Sequence, residues 1–231
     1  MEVLADSLMR DSLFSGFPDE VIQTGILPHR QILEYRRGTF PIEPQQRIDR
    51  FGIVLSGKIH LMHIFSEGNY SLMSDFNAGD ILGADLIFTR SRLAPYHAMA
   101  AADTRVAFFP AELATQPGML PEIWRTELVQ RLAAWISTMN MKKEYRLAIL
   151  SQNGLRERIT TYLTMQASRR QKTAFTISYT REELAAFLCV NRSALSHELS
   201  RMQREGLITF RKNYFCLHYL SASEHGQLLL F

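Results

Sequence analysis

The segment CVNRSALSHELSRM, residues 189–202, places hydrogen-bonding and cationic side chains on one side of a predicted helix. Leu195, Leu199 and Met202 recur at spacings of four and three, so they define its buried face. The opposite face is basic and hydroxylated. An arginine can donate two parallel hydrogen bonds to a planar acceptor, and a serine can donate or accept. Taken alone, the segment is also compatible with an ordinary solvated surface helix, so the surrounding chain must decide.

The positive charge of the chain is concentrated around this helix. The whole sequence of 231 residues has a net charge of +3. Residues 150–231 carry 11 Lys and Arg against 6 Asp and Glu, a net charge of +5, whereas residues 1–149 have a net charge of −2. A basic C-terminal third favours a polyanionic partner.

Composition indicates a soluble, cytoplasmic protein. The sequence is 46% hydrophobic and 21% charged, which is typical of globular domains. The two cysteines, Cys189 and Cys216, cannot form a disulfide framework and suit a reducing cytosol. The N-terminus lacks the continuous apolar region of a secretory signal, and no segment approaches the roughly 20 apolar residues of a membrane span.

The N-terminal part of the chain has the pattern of a small antiparallel β domain. A short helix is predicted after Pro18, and from Gln31 to about Pro110 short apolar runs alternate with turns. This spacing predicts a barrel or sandwich. Four glycines are predicted to occupy tight turns that need positive φ: Gly57, Gly68, Gly79 and Gly83.

A long helix is predicted next, because the chain has neither Pro nor Gly between Pro121 and Gly154. Its strongest apolar stripe has spacings of four, three and four. We expect the helix to pack on the barrel along one edge and on a second copy of the chain along the other, because a helix of about 30 residues would overhang a small barrel. Packing on its own barrel alone is the alternative. The predicted seam consists of Leu128, Leu132, Trp135 and Met139.

The remaining residues, 151–231, predict a helix-turn-helix with a wing. SQNG at 151–154 forms a hinge, followed by a helix at 155–167 and a short β segment at 175–178. A helix over 180–188 begins with a capping box formed by Thr180 and Glu183. A turn then leads into the helix of residues 189–202, and ITFRKNYFCLHY predicts a β-hairpin behind it.

The whole chain resembles the Crp/Fnr family of bacterial transcription regulators. TREELAAFLCVNRSALSHELSRMQREGLI is similar to the helix-turn-helix of that family and its entry into the wing. RFGIVLSGKIHL and NAGDILG resemble turns of its effector-binding β-roll, and LRERITTYL resembles the helix after its hinge.

The resemblance implies an α+β fold with three parts. Residues 1–117 would form an antiparallel, jelly-roll-like sensory β-roll, residues 118–150 a long dimerisation helix, and residues 151–231 a winged helix-turn-helix. It further implies a homodimer that binds double-stranded DNA, with RNA polymerase as a candidate partner and no membrane.

The family motif assigns roles to residues of the second helix. Arg192, Ser193 and His197 fall at its base- or phosphate-contacting positions, with Ser196 beside them. Family members often have Glu in place of Ser193, Arg in place of His197, and Gly in place of Cys189, which predicts a strained turn. The positions expected to contact phosphates are Arg201, Arg204, Arg211 and Lys212.

The sensory domain departs from the branches whose cofactors are known. Gly83-Ala84-Asp85 stands where the cyclic-nucleotide branch has a Gly-Glu pair for the ribose, so cyclic AMP is disfavoured. No cysteine precedes residue 189, which excludes the N-terminal cluster of the iron–sulfur branch. Haem is a candidate that the residues do not favour, because His60 and His63 lie on opposite faces of one strand. Its candidate axial ligands are His60, Met62, His63 and His97.

The effector is not specified by the sequence. Five residues are candidates for an effector pocket, although roles as turn residues and core aromatics explain them as well: Asp85, Arg92, Tyr96, His97 and Trp135. We find no nucleophile–base pair and no metal constellation, so no enzyme activity is predicted. The sequence predicts a dimeric, effector-controlled, sequence-specific DNA-binding regulator. The alternative is a β-roll ligand-binding or cupin-like metal-dependent protein whose C-terminal domain mediates protein contacts.

Overall fold

The computed structural model describes residues 13–66 and 69–219, which pack into two compact units. The N-terminal unit contains the described residues up to Ile64 together with Met73–Met141. The C-terminal unit contains the described residues of Phe65–Leu72 and those from Lys142 onward. This division differs from the predicted boundaries in two ways. Residues 65–72 belong with the C-terminal unit, and the long helix is shared between both.

The N-terminal unit is an antiparallel β-roll, as predicted. A π-helical segment, Val21–Ile26, and a 3₁₀ turn, Leu27–His29, precede it. Its strands are β1 (Gln31–Tyr35), β2 (Arg50–Ser56), β3 (Lys58–Ile64), β4 (Tyr70–Asn77), β5 (Ile81–Leu82), β6 (His97–Ala100) and β7 (Thr104–Pro110). They form two sheets, with the orders β1-β7-β2-β5 and β4-β3-β6.

The four-stranded sheet is buried on both faces because its strands contribute to two hydrophobic clusters. Phe51 and Phe109 lie in one cluster, and Val106 and Phe108 lie in the other. Successive strand residues point to opposite faces, so an unbroken apolar run is needed where both faces are covered. This explains the continuous apolar runs of β2 and β7.

Glycine turns occur between these strands as expected. Gly57, Gly79 and Gly83 have φ of 87°, 92° and 78°. At Gly57 an added Cβ would lie 2.4 Å from the carbonyl oxygen of Asp103, so both the conformation and the space require glycine. Gly68 lies outside the described residues.

Three helices follow or interrupt the roll: α1 (Ala84–Ile87), α2 (Glu112–Thr115) and the 29-residue α3 (Glu122–Leu150). The prediction of a dimer seam on the apolar stripe of α3 is wrong. Leu128 and Leu132 are 0% exposed and pack in the core of their own β-roll. Met139 is 8% exposed and lies in the cluster of Val106 and Phe108. Trp135 Nε1 donates to the Ile81 carbonyl at 3.0 Å. A spacing of four and three identifies a packing face but not its partner.

The C-terminal unit is a winged helix-turn-helix, as predicted. Its elements are α4 (Leu155–Arg170), β8 (Ala174–Thr176), α5 (Arg181–Phe187), α6 (Arg192–Arg204), β9 (Ile208–Arg211) and β10 (Tyr214–Leu217). The strands form an antiparallel sheet in the order β8-β10-β9. Leu163, Leu188, Leu195, Leu199 and Phe215 are 0% exposed in the core between this sheet and the helices.

Across residues 13–66 and 69–219, no helix is both long enough and apolar enough to cross a membrane. Cys189 and Cys216 are both free cysteines.

Candidate nucleic-acid interface

Helix α5 begins with the predicted capping box. The backbone N–H of Glu183 donates to Thr180 Oγ1 at 3.2 Å, and the backbone N–H of Thr180 donates to Glu183 Oε2 at 2.6 Å. These two bonds satisfy donors that the first helical turn leaves unpaired. The capping box therefore sets where α5 starts and how the chain enters the helix-turn-helix.

Helix α6 is fixed at its start by Asn191 and along one side by the core. Asn191 Oδ1 accepts the backbone N–H of Ala194 at 2.8 Å and the hydroxyl of Ser193 at 2.9 Å. Leu195 and Leu199 are both 0% exposed, so the helix cannot rotate without exposing apolar surface. The side chains on the other face are therefore held by a rigid element.

The structure exposes all but one of the predicted contact residues on α6 and the wing. Ser196 is half-buried, and its carbonyl accepts the hydroxyl of Ser200 at 2.9 Å. The exposed residues are Arg192, Ser193, His197, Arg201, Arg204, Arg211 and Lys212. Arg192 and Ser193 open the helix, and Arg201 and Arg204 lie in its last turn.

An ion cluster at the C-terminal end of α6 engages one of the predicted phosphate contacts. Arg156 on α4 donates to Glu198 Oε1 at 2.6 Å and forms two bonds to Glu205, at 2.6 Å and 3.0 Å. Arg201 Nε donates to Glu205 Oε1 at 3.1 Å. The bonds to Glu205 and Glu198 raise the pKa of Arg156, and Arg156 lowers the pKa of Glu205. The guanidinium of Arg201 is therefore already partly neutralised, whereas Arg201 and Arg204 were predicted to have the same role.

Arg181, the first residue of α5, is a site residue that the sequence analysis missed. Its guanidinium lies over the rings of Phe210 and Phe215, at 4.9 Å and 5.7 Å from their centroids, and donates to the Lys212 carbonyl at 2.9 Å. Burial, followed by the positive charge of Arg192, lowers the pKa of Arg181. The charge of Arg192, the first residue of α6, therefore acts on Arg181. The signal in the sequence was the arginine that follows the cap residue in TREE, residues 180–183.

The wing is anchored to the rest of the unit through its turn. Asn213 Nδ2 donates to the Ile177 carbonyl at 2.9 Å, and the Ile177 N–H donates back to the Asn213 carbonyl at 3.0 Å. Lys212 has φ of 55°, a left-handed backbone, in the tight turn between β9 and β10. These contacts hold Arg211 and Lys212 at an exposed tip.

Two family models match the chain. One is the Crp-like helix-turn-helix domain, over residues 157–222, and the other is the cyclic nucleotide-binding domain, over residues 32–116. The cyclic nucleotide-binding model matches the β-roll, and the helix-turn-helix model matches the C-terminal unit. The chain belongs to the Crp/Fnr family of transcription regulators. The resemblance found in the sequence is thereby confirmed.

Individual Crp/Fnr relatives are distant in sequence. The chain is 23% identical over 190 residues to electron transport regulator A of Shewanella oneidensis, covering 77% of this chain and 73% of that protein. FixK2 of Bradyrhizobium japonicum is similar in structure, with a TM-score of 0.63 at 17% identity, covering 86% of this chain and 96% of FixK2. The c-di-GMP responsive regulator CLP of Xanthomonas campestris has a TM-score of 0.67 at 16% identity, covering 84% and 96%.

The five residues predicted for an effector pocket do not share one set of contacts in this Crp/Fnr β-roll. Tyr96 is 2% exposed and donates to Asp85 Oδ1 at 3.0 Å. Burial, and then the charge and hydrogen bond of Asp85, raise the pKa of Tyr96 well above its ordinary value. His97 contacts the ring of Phe40 at 5.7 Å instead. Trp135 bonds to the backbone of β5, as described above, and Arg92 has φ of 54° in a loop.

The structure also shows the surroundings of Gly83 and Ala84, which stand where the cyclic-nucleotide branch has its ribose-binding pair. Gly83 has a left-handed backbone. Ala84 begins α1, is 1% exposed and lies in the hydrophobic cluster of Phe51 and Phe109. The methyl group of Ala84 offers no hydrogen-bond acceptor. Within the described residues, no group of three or more His, Cys, Asp or Glu side chains could hold a metal ion.

Proposed function

We propose that the chain is a homodimeric regulator that binds double-stranded DNA sequence-specifically and is controlled by a small effector in its β-roll. The observation that carries the proposal is the capped, core-packed helix α6, which exposes Arg192, Ser193 and His197 beside Arg181. A rigid helix with donors at its N-terminal end suits the major groove, where the N-terminal residues of a recognition helix contact base edges.

The cations further along the unit suit phosphate contacts. Arg204 lies in the last turn of α6, and Arg211 and Lys212 lie at the tip of the wing. Phosphate contacts supply most of the affinity and fix the register, without reading the sequence. We assign Arg192 to bases, and Arg204 and the wing to phosphates.

A homodimer is supported by the exposed side of α3. Ile123, Gln130, Ala134, Ser137 and Met141 are all exposed and recur at spacings of seven, four, three and four. This is the period of a coiled-coil seam, and it lies opposite the face that packs on the β-roll. Ile123 is 70% exposed and Met141 is 47% exposed. We propose this stripe, in place of the buried one, as the contact with a second copy.

A pair of neighbouring substitutions tests the seam. Ala134→Asp would place two like charges at the contact and should weaken the dimer at least about tenfold. Ala133→Asp adds the same charge at an exposed position about a quarter of a turn away, and should leave the dimer largely intact. Light scattering across a protein dilution series measures both. Equal effects of the two changes would refute the assigned stripe.

An effector other than a cyclic nucleotide is proposed for the β-roll. The buried methyl group of Ala84 supports this, because it offers no acceptor for a ribose hydroxyl. Cyclic AMP should therefore leave the thermal midpoint of the protein unchanged. A concentration-dependent rise of the midpoint would contradict this part of the proposal.

The central test uses duplex DNA. Duplexes are selected from a random pool with the wild-type protein, and their affinity is measured by fluorescence anisotropy over a range of salt concentrations. We expect binding that is tighter than to unselected duplex and that weakens steeply with salt, because phosphate contacts release counterions. The alternative, a C-terminal domain that only mediates protein contacts, predicts neither property.

A further inference from the structure

The first three residues of strand β4 pack within the C-terminal unit. Leu72 is 0% exposed in the hydrophobic core of that unit, and Tyr70 packs against the same core. Burial, followed by the charges of Glu182 and Glu183, raises the pKa of Tyr70. The residue between them, Ser71, is 7% exposed.

Ser71 reaches the turn between α5 and α6. Its Oγ lies 3.3 Å from Cys189 Sγ. Arg146 Nη2, from helix α3, donates to Ser71 Oγ at 2.7 Å and to Cys189 Sγ at 3.4 Å. The same guanidinium lies over the ring of Phe187, 5.4 Å from its centroid. We refer to Ser71, Arg146 and Cys189 as the turn latch.

Cys189 has an unusual backbone for a residue with a side chain. Its φ is +56°, in the left-handed region that favours glycine. A Cβ in that conformation crowds the following carbonyl oxygen, so an ordinary residue is strained there. The turn therefore keeps a side chain where glycine would be relaxed, and Ser71 and Arg146 contact that side chain.

We propose that Ser71 and Arg146 are positioning residues that hold Cys189 in its left-handed conformation and so keep α6 in the geometry that binds DNA. Cys189 is separated from the cap residue Asn191 by one residue, and Arg192 follows the cap. A change in the turn therefore moves the base-contacting end of α6 first. The inference rests on the proposed function, because its consequence is measured as DNA affinity.

The experiment compares two substitutions of Cys189 on the same fluorescein-labelled duplex, chosen by selection with the wild-type protein. Cys189→Ala keeps the strained Cβ but loses the thiol contacts, and should weaken binding about three- to tenfold. Cys189→Gly removes the strain itself and should stay within about twofold of wild type. Equal affinities of the two variants would overturn the proposal.

Ser71 and Arg146 are each substituted in the wild-type chain and in the Cys189→Gly chain. Ser71→Ala and Arg146→Met should each weaken binding about three- to tenfold in the wild-type chain, and less than about twofold in the Cys189→Gly chain. Losses of the same size in both backgrounds would show that the two residues act elsewhere. Two independent latch variants keep the test decisive if one of them fails to fold, which circular dichroism would reveal.

Matched controls remove similar groups outside the latch. Ser74→Ala deletes a hydroxyl further along β4, and Lys143→Met removes an exposed positive charge from the same helix as Arg146. Both should bind the duplex within about twofold of wild type. Wild-type protein that shows no salt-sensitive binding would instead overturn the proposed function, so the two failures are distinguishable.

Discussion

Arg192 of α6 and Tyr96 of the β-roll are both polar side chains on apolar scaffolds. They differ in their surroundings, because Arg192 faces the solvent and Tyr96 has a hydrogen-bond partner inside the protein. Arg192 is exposed at the start of a capped helix, beside the cation of Arg181. Tyr96 is 2% exposed and bonds to Asp85 within its own unit. Arg192 is therefore directed to the solvent, whereas Tyr96 is used within the β-roll.

This difference explains why one partner can be named by class and the other cannot. A polyanion is recognised by charge and by exposed donors, which remain visible on a surface without the partner. A small effector is recognised by the shape of a pocket and a few convergent groups. In the β-roll, the candidate residues contact Asp85, Phe40 and the β5 backbone separately.

The largest effect is expected from Leu132→Asp. Leu132 is 0% exposed in the β-roll core, so the variant buries an unpaired carboxylate and should lose about 3–5 kcal/mol of unfolding free energy. Chemical denaturation measures the loss, with Ala133→Asp on the exposed side of α3 as control. A variant that is fully stable but monomeric would instead restore the seam predicted from the sequence.

Next in size is Arg192→Ala. Loss of a base contact should cost about 1–3 kcal/mol on the selected duplex and much less on random duplex, because only the former is read by this side chain. Anisotropy with both duplexes measures the difference. An equal loss on both would reassign Arg192 to phosphate binding.

Tyr96→Phe probes the internal polar pair of the β-roll. Losing the bond to Asp85 should cost about 1 kcal/mol at neutral pH. The pKa of Tyr96 is raised in the folded state above the ordinary value of 10.0, so the folded state retains its proton longer. Wild-type stability should therefore fall above about pH 10, by up to about 1.4 kcal/mol per pH unit, until the folded-state pKa is passed.

The Phe variant lacks this titration, so the stability difference between the two proteins should shrink above pH 10. Urea denaturation at a series of alkaline pH values tests it, and the other tyrosines cancel in the comparison. A difference that is constant with pH would mean that Tyr96 does not retain its proton in the folded state.

The smallest expected effect is a difference in DNA binding between substitutions of Arg201 and Arg204, the two arginines in the last turn of α6. Arg204→Ala should weaken binding to all duplexes and lower the salt slope by about one. Arg201→Ala should do less, because Glu205 already accepts from Arg201 Nε at 3.1 Å and Glu198 lies 4.0 Å from its Nη1. Salt titrations of both variants give the comparison. A larger change for Arg201 would show that the ion cluster opens on DNA.

The sequence predicts the C-terminal unit more completely than the β-roll because its signals are local. The capping box at Thr180, the Asn191 cap and the apolar period of α6 all act within one helical turn or two. The strained turn at Cys189 followed from the replacement of a glycine, and φ of +56° confirms it.

The errors concern partners that lie far along the chain. The stripe of Leu128 and Leu132 was identified, but its period does not distinguish a β-roll from a second helix. The contact of Ser71 with Cys189 joins residues 118 positions apart, which no local pattern indicates. Likewise, the pairing of Arg201 with Glu205 is a helical i, i+4 contact, but the two bonds from Arg156 that complete the cluster come from another helix.

The symmetry of the DNA selected by the wild-type protein tests the account most directly. Duplexes enriched from a random pool are sequenced and aligned. A homodimer with a helix-turn-helix in each copy predicts two inverted half-sites whose centres lie about 34 Å apart, one helical turn, with the strongest base preference lost in Arg192→Ala. Enrichment of single, unpaired half-sites, or no enrichment at all, would contradict the proposal of a dimeric, sequence-specific regulator.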